Sequence, residues 1–284
     1  MAGVGPGRVL RSLVPSSRDQ RVYLVAAVVN MYGTGLVVAA MTLFGIKVAH
    51  LTPARLGLAM TIGGLVSLAA VMPVGRLADR LGPRDVYRVA LLVWGAAAAG
   101  YVFLAHGFVS FLAVTVVQSL AMSASAPASV ALMRRVGGSE ATTFRSQVTA
   151  ILNMGLALGI ATAGAALEVN TVTAYRVLML GNGVSCVIGA VVLGWLPRYE
   201  PLPGAREESP FTALRDRPFV AYTALSGAMY MQYLVLVLML PAWVVLHTSA
   251  PRWSVSAAAW ATAPGRRCPR WSWSGSCSAS AGSA

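Results

Sequence analysis

The sequence predicts an all-α membrane protein built from long apolar helices. Three observations carry this. Of 284 residues, 57% are hydrophobic and only 11% are charged, whereas a soluble domain carries about 25% charged residues. Seven apolar runs are each long enough to cross a hydrocarbon core of about 30 Å, which takes about 20 helical residues. The runs also lack the polar face of a soluble helix and the alternation of a membrane β-strand. Helices are then the form in which the backbone satisfies its own hydrogen bonds in lipid.

The runs are 22–46, 54–74, 86–106, 108–133, 147–167, 173–196 and 218–246. The first is longer than the apolar core of a secretory signal, about 7–15 residues, and reads as an uncleaved span. It carries Asn30, Tyr32 and Thr34. The second repeats small residues every four positions, at Ala59, Gly63 and Ser67. The fourth holds Gln118, Ser119 and Ser123. The fifth holds Asn153 and the small stripe Gly155, Gly159 and Ala163. The sixth holds Asn182 and the stripe Gly181, Ser185 and Gly189. The seventh holds Tyr230, Gln232 and Pro241. Small stripes let helix backbones approach closely in lipid, so Gly155, Gly159 and Ala163 are expected at a helix contact.

Orientation follows from the arginines. The N-terminus and the connections after spans two, four and six hold fifteen of them, including Arg76, Arg80, Arg84, Arg88, Arg134, Arg135 and Arg145. The opposite side, before the tail, holds only Lys47, Arg55 and Arg176. The positive-inside rule puts the N-terminus in the cytoplasm of a cell whose cytoplasmic (inner) membrane holds the chain. The longest connection, 197–217, mixes Pro197, Pro201, Pro203 and Gly204 with charges and reads as a cytoplasmic linker. The expected layout is a cytoplasmic N-terminus over 1–21, a six-helix bundle over 22–196, the linker over 197–217, a seventh helix over 218–246 and an irregular tail over 247–284.

The net charge of +13 does not argue for a nucleic-acid partner. The arginines sit between apolar runs, as orientation signals do, and form no single patch. Cys186, Cys268 and Cys277 have the spacing of neither a disulfide framework nor a zinc site. His50, His106 and His247 stand far apart. No metal, cofactor or catalytic constellation is expected, and the chain is not read as an enzyme.

After span two comes Gly75-Arg76-Leu77-Ala78-Asp79-Arg80-Leu81-Gly82-Pro83-Arg84. The chain must reverse there between two helices. Gly75 would admit a neighbouring backbone, and Gly82 would allow a positive φ in the turn. Asp79 would accept from exposed amides at a helix N-terminus, and Arg80 and Arg84 would pair with acids or lipid phosphates. This stretch resembles the signature loop of the major facilitator superfamily in its Gly, Asp, Arg and Gly spacing. It departs at Pro83, where a basic residue is common. The resemblance covers about residues 20–250 and implies the N-terminal six-helix half plus the seventh helix. It implies that Asp79 and Arg80 latch the two halves and take part in gating.

Buried amides need partners or water. Asn30, Tyr32, Gln118, Asn153, Asn182, Tyr230 and Gln232 are therefore solute-pathway candidates. Interhelical hydrogen bonding, at about 1 kcal/mol, is the equal alternative for each. In the resembling family spans one, four and seven line the cavity, which favours Asn30, Gln118, Tyr230 and Gln232. These are neutral and partly aromatic, which leans toward a neutral or amphipathic solute. No Asp, Glu or Lys lies deep in a span. The family's fourth-span arginine, three residues before a glutamine, is Thr115 here. The antiporter Gly-Pro of span five is Gly159-Ile160. Proton coupling is thus unassigned in this half, and a coupling ion stays open as a partner beside the bilayer and a small solute.

Residues 251–284 contain no Leu, Ile, Met, Phe, Asp or Glu, but eight Ser, eight Ala, four Arg and four of the seven Trp. This predicts a shifted reading frame beginning near 255–262, in keeping with twenty-one arginines to one lysine across the chain. The alternative is a surface-binding tail, since Trp and Arg favour membrane interfaces. Two functions follow. One is a secondary transporter working by alternating access. The other is a truncated, non-transporting membrane protein with at most a structural role.

Overall fold

The computed structural model describes residues 17–138, 141–169, 171–199, 217–218 and 220–229, with the side chains of Ala39, Met72, Arg76, Ala78, Asp79 and Arg80 excepted. Six membrane-length apolar helices run in order, and no strand occurs among the described residues. They are α1 (Arg18–Lys47), α2 (Pro53–Leu81), α3 (Pro83–Phe103), α4 (Phe108–Gly137), α5 (Ala141–Glu168) and α6 (Val172–Leu193). A shorter apolar helix, Val220–Met229, lies where the seventh span is expected. The tail and most of the linker lie outside the described residues.

Local chemistry starts and stops these helices. Ser17 and Gln20 form a reciprocal capping box at the start of α1, with Asp19 in the first turn. Thr171 caps α6 by accepting from the amide of Ala174 at 3.2 Å. α3 opens with Pro83 at its first position, where the missing N–H costs nothing. Arg134 and Arg135 sit in the last turn of α4, at the negative end of its dipole.

Two connections depart from the sequence reading. α4 runs on to Gly137 and α5 begins at Ala141, so most of the connection after span four is helical. The stretch after span two is not a loop either. α2 runs through Pro73 to Leu81, and only Gly82 separates it from α3. Hydropathy ends where the membrane ends, but backbone hydrogen bonding carries the helix on into water.

The six helices form two three-helix units of matching design. α1 packs chiefly on α5 and α6, and α4 packs chiefly on α2 and α3, while α3 and α6 pack on each other. Each unit thus lends its first helix to the other. Small residues set the distances. A Cβ at Gly95 would lie 3.0 Å from the carbonyl of Gly183, where α3 crosses α6. A Cβ at Gly63 would lie 2.7 Å from Ser119 Oγ, where α2 crosses α4. Lipid tails are as apolar as the side chains, so this close fit, rather than hydrophobicity, holds the helices together.

Two apolar clusters fill the bundle. One includes Tyr23, Tyr87, Trp94, Leu132 and Phe144. The other includes Phe44, Tyr101, Phe111, Tyr175 and Met179. Rings meet at tilted angles, Tyr101 and Phe111 at 5.1 Å and Tyr23 and Phe144 at 5.9 Å between centroids. Burial is uneven. In α3 and α6, 56% of the spanning residues are buried, against 17% in α2 and 22% in α5.

Candidate functional site

The stretch from Gly75 to Arg84 sits at the end of the bundle that holds the start of α1. Gly82 adopts φ +90°, and a Cβ there would lie 3.1 Å from the carbonyl of Tyr199. Its lack of a side chain therefore serves both the turn and a contact with the chain after α6. Gly75 has no such neighbour: nothing described lies within 4 Å of a Cβ built on it. Its expected close approach to another backbone is absent among the described residues. Asp79 and Arg80 lie in the last turns of α2, at a helix C-terminus, and their side chains are outside the described set.

Arg84 has a different partner from those expected. Its Nε donates to the carbonyl of Leu193 at 3.1 Å and its Nη2 to that of Gly194 at 2.6 Å. Arg88, one turn on, donates through Nε to the carbonyl of Ala190 at 2.9 Å. Two guanidiniums thus bond carbonyls in the last turn and at the end of α6, where positive charge is favoured; that of Leu193 also accepts from the amide of Leu196 at 3.2 Å. Asp85 lies 3.6 Å from Arg198, but that arginine is 82% exposed, so the pair adds little. The Tyr199 hydroxyl has its pKa pushed up by partial burial and then by the negative charge and hydrogen bond of Asp19. The chain leaving α6 is therefore pinned to α1, to α3 and to the turn at Gly82.

The pathway candidates separate into groups. Asn30 and Asn182 are buried between α1, α3 and α6. Cys186 Sγ lies 3.5 Å from Asn30 Oδ1 and 3.9 Å from Asn182 Oδ1. Asn182 Nδ2 and Trp94 Nε1 have no hydrogen-bond partner among the described residues. This places Asn30 and Asn182 in a helix seam and not on an open face. Tyr32 is half-buried, and its carbonyl faces Gly159. Gln118 is half-buried on α4. Asn153 is exposed and shares a shallow, open hollow on the surface of α5 with Thr142, Arg145, Ser146, Thr149 and Ala150. Tyr230 and Gln232 lie outside the described residues.

The small stripes meet α1 and α4. A Cβ at Gly159 would collide with the carbonyl of Tyr32, and one at Gly155 would lie 3.1 Å from that of Val28. Ala163 is fully buried. On α6, Gly181, Ser185 and Gly189 face Leu36, Gly33 and Ala26 of α1.

Two polar links were not anticipated. Ser67 and Ser123 hydroxyls lie 2.6 Å apart across α2 and α4. The Tyr101 hydroxyl donates to Thr115 Oγ1 at 3.0 Å, and Thr115 in turn donates to the carbonyl of Phe111 at 2.8 Å. Thr115, at the position of the family's fourth-span arginine, therefore serves the seam between α3 and α4. The signal was present for Ser67 and Ser123, each a hydroxyl on or beside a small stripe. Among the described residues, no group of three His, Cys, Asp or Glu could hold a metal.

A family model described as Major Facilitator Superfamily matches residues 23–272, most of the chain and some way past residue 251. Among curated proteins, none matches.

Proposed function

The chain belongs to the major facilitator superfamily, and from that premise we propose that it moves a small solute across the cytoplasmic membrane by alternating access. Membership makes it a multi-pass membrane protein of a transporter family, and its six helices fit the N-terminal half. The finer reading rests chiefly on the burial pattern. α2 and α5 are the least buried helices, at 17% and 22%, and they belong to different three-helix units. Their bare faces suit a second bundle that rocks against this one.

In this reading the N-terminus is cytoplasmic, because the arginine-rich connections share its side. Residues 197–217 lead toward the second bundle. Asp79 and Arg80 act at the end of α2 as part of a latch on the cytoplasmic face. Gln118, Tyr32, Asn153, Tyr230 and Gln232 are the pathway candidates, and Asn30 and Asn182 hold the bundle together. A second reading, a membrane protein that does not transport, is favoured by the composition of 251–284. The family match, running on to 272, weighs against it.

Counterflow in proteoliposomes over a panel of labelled solutes tests both. The chain is compared with a version carrying the frame restored after residue 255. Transport by the restored version alone supports the first reading for the parent gene and the second for this chain. Silence from both, with each protein folded, sinks the transporter reading.

A further inference from the structure

We propose that the exposed face of α5 between Thr142 and Asn153 is a binding track for a hydroxylated organic anion, with Arg145 holding the negative charge. The reading rests on the transporter proposal, in which this face of α5 meets water whenever the second bundle rocks away from it. Residues 142, 145, 146, 149 and 153 recur at helical spacing and share one side. All are exposed, and together with Ala150 they line a shallow, open hollow on the surface of α5. The opposite side of the helix is spent on packing, through buried Phe144, Val148, Gly155 and Gly159. At 1.5 Å per residue the track runs about 16 Å, and its inner part, from Thr149 to Asn153, lies within the fifth apolar run, 147–167. At that inner end the exposed amide of Asn153 is costly against lipid and fits a water-filled path.

The chemistry of the track selects the ligand. Arg145 is its single charge, and no acid lies on α5 before Glu168 at the far end. Among the described residues Arg145 is in neither ion pair of the bundle. The Ser146 hydroxyl donates to the carbonyl of Thr143 at 2.7 Å, and the Thr149 hydroxyl to that of Arg145 at 2.8 Å. Their protons are spent on the helix, so toward a solute their oxygens can serve only as acceptors. A matching solute brings an anionic group for the guanidinium and hydroxyl donors for these oxygens, and Asn153 can serve either way. A hydroxylated carboxylate has this pattern. A sugar alcohol lacks the charge, and a simple fatty acid lacks the donors.

The test uses the full chain in phosphatidylcholine nanodiscs with Thr149→Cys, the parent chain supplying the background from Cys186, Cys268 and Cys277. Labelling by an anionic and a cationic methanethiosulfonate is timed. The anionic reagent should be favoured by about threefold, as a unit charge roughly one helical turn away implies. Arg145→Gln should remove that preference, and Arg145→Lys should keep it. Gluconate should slow labelling while sorbitol does not. No labelling by either reagent places the track against lipid and overturns the proposal. So does a preference that survives Arg145→Gln, or equal effects of gluconate and sorbitol. Protection by phosphatidylglycerol in the discs that gluconate cannot match makes Arg145 a lipid-headgroup contact and also overturns it. None of these readouts requires transport, so failure here leaves the transporter reading standing.

Discussion

The guanidinium of Arg84 closes the end of α6, its Nη2 donating to the carbonyl of Gly194 at 2.6 Å. The second arm, from Nε to Leu193 at 3.1 Å, makes the grip a fork. Arg84→Gln should lower stability by about 1.5–3 kcal/mol, the range for hydrogen bonds to charged groups. Arg84→Lys should recover only part of this, since an ammonium lacks the planar fork. Melting of the purified chain in detergent reads both. An Arg84→Gln protein as stable as the parent would show that the carbonyls are equally well served by water.

Glycines within α2 and α5 should differ sharply. A side chain at Gly159 meets the carbonyl of Tyr32, and Gly159→Leu should cost about 1–3 kcal/mol through overpacking. Gly75 has open space around it, so Gly75→Ala should be neutral or gain up to about 1 kcal/mol of helix propensity. Parallel melts of the two variants give the comparison. A stable Gly159→Leu would mean that α1 and α5 separate without penalty.

Gly82 combines a positive φ of 90° with the nearby Tyr199 carbonyl. Gly82→Ala should cost about 1–2 kcal/mol from the backbone alone, and crowding at 3.1 Å adds to it. Protease access to the chain after α6 should rise in this variant. Unchanged cleavage would detach the turn from the linker.

Tyr199 supplies a pH signature. Its folded pKa lies above the ordinary 10.0 because of burial and Asp19. The stabilisation is therefore complete below pH 10 and is lost as pH rises, since the unfolded hydroxyl ionises first. Melting curves between about pH 8 and 11 should show the parent losing stability faster than Tyr199→Phe. Parallel curves would remove Asp19 and burial as the cause.

The spans were readable because lipid demands long apolar runs, and those runs mark α1 through α6 to within a few residues at most ends. The end of α2 and the start of α5, at Ala141, are the exceptions. The last two turns of α2 are polar, and hydropathy has no view of a helix that continues into water. The target of Arg84 was also out of reach, because Leu193 and Gly194 are more than a hundred residues away in sequence. Asn30 and Asn182 could have been placed better. Asn182 shares a face with Ser185, Cys186 and Gly189, and Asn30 with Ala26 and Gly33. An amide lying on a small-residue stripe belongs to the seam that the stripe makes. Arg145 was counted as an orientation signal only. Its place beside Ser146, Thr149 and Asn153 on one helix face emerges when the packed side of α5 is known.

The exchange of first helices between the two units also bears on how the protein is made. α1 ends at Lys47, yet its close partners α5 and α6 begin at Ala141 and Val172. At synthesis rates of about 5–20 residues per second, α1 waits on the order of ten seconds in the membrane with its Asn30 and Gly33 seam uncovered. α2 finds its principal neighbour, and α3 one of its two, as soon as α4 is inserted. The first helix in the chain is therefore among the last to be packed, and something must shelter its polar seam until then. A ribosome-stalled chain ending before α5 should leave Asn30 open to crosslinking with the insertion machinery, and one extending beyond α6 should not.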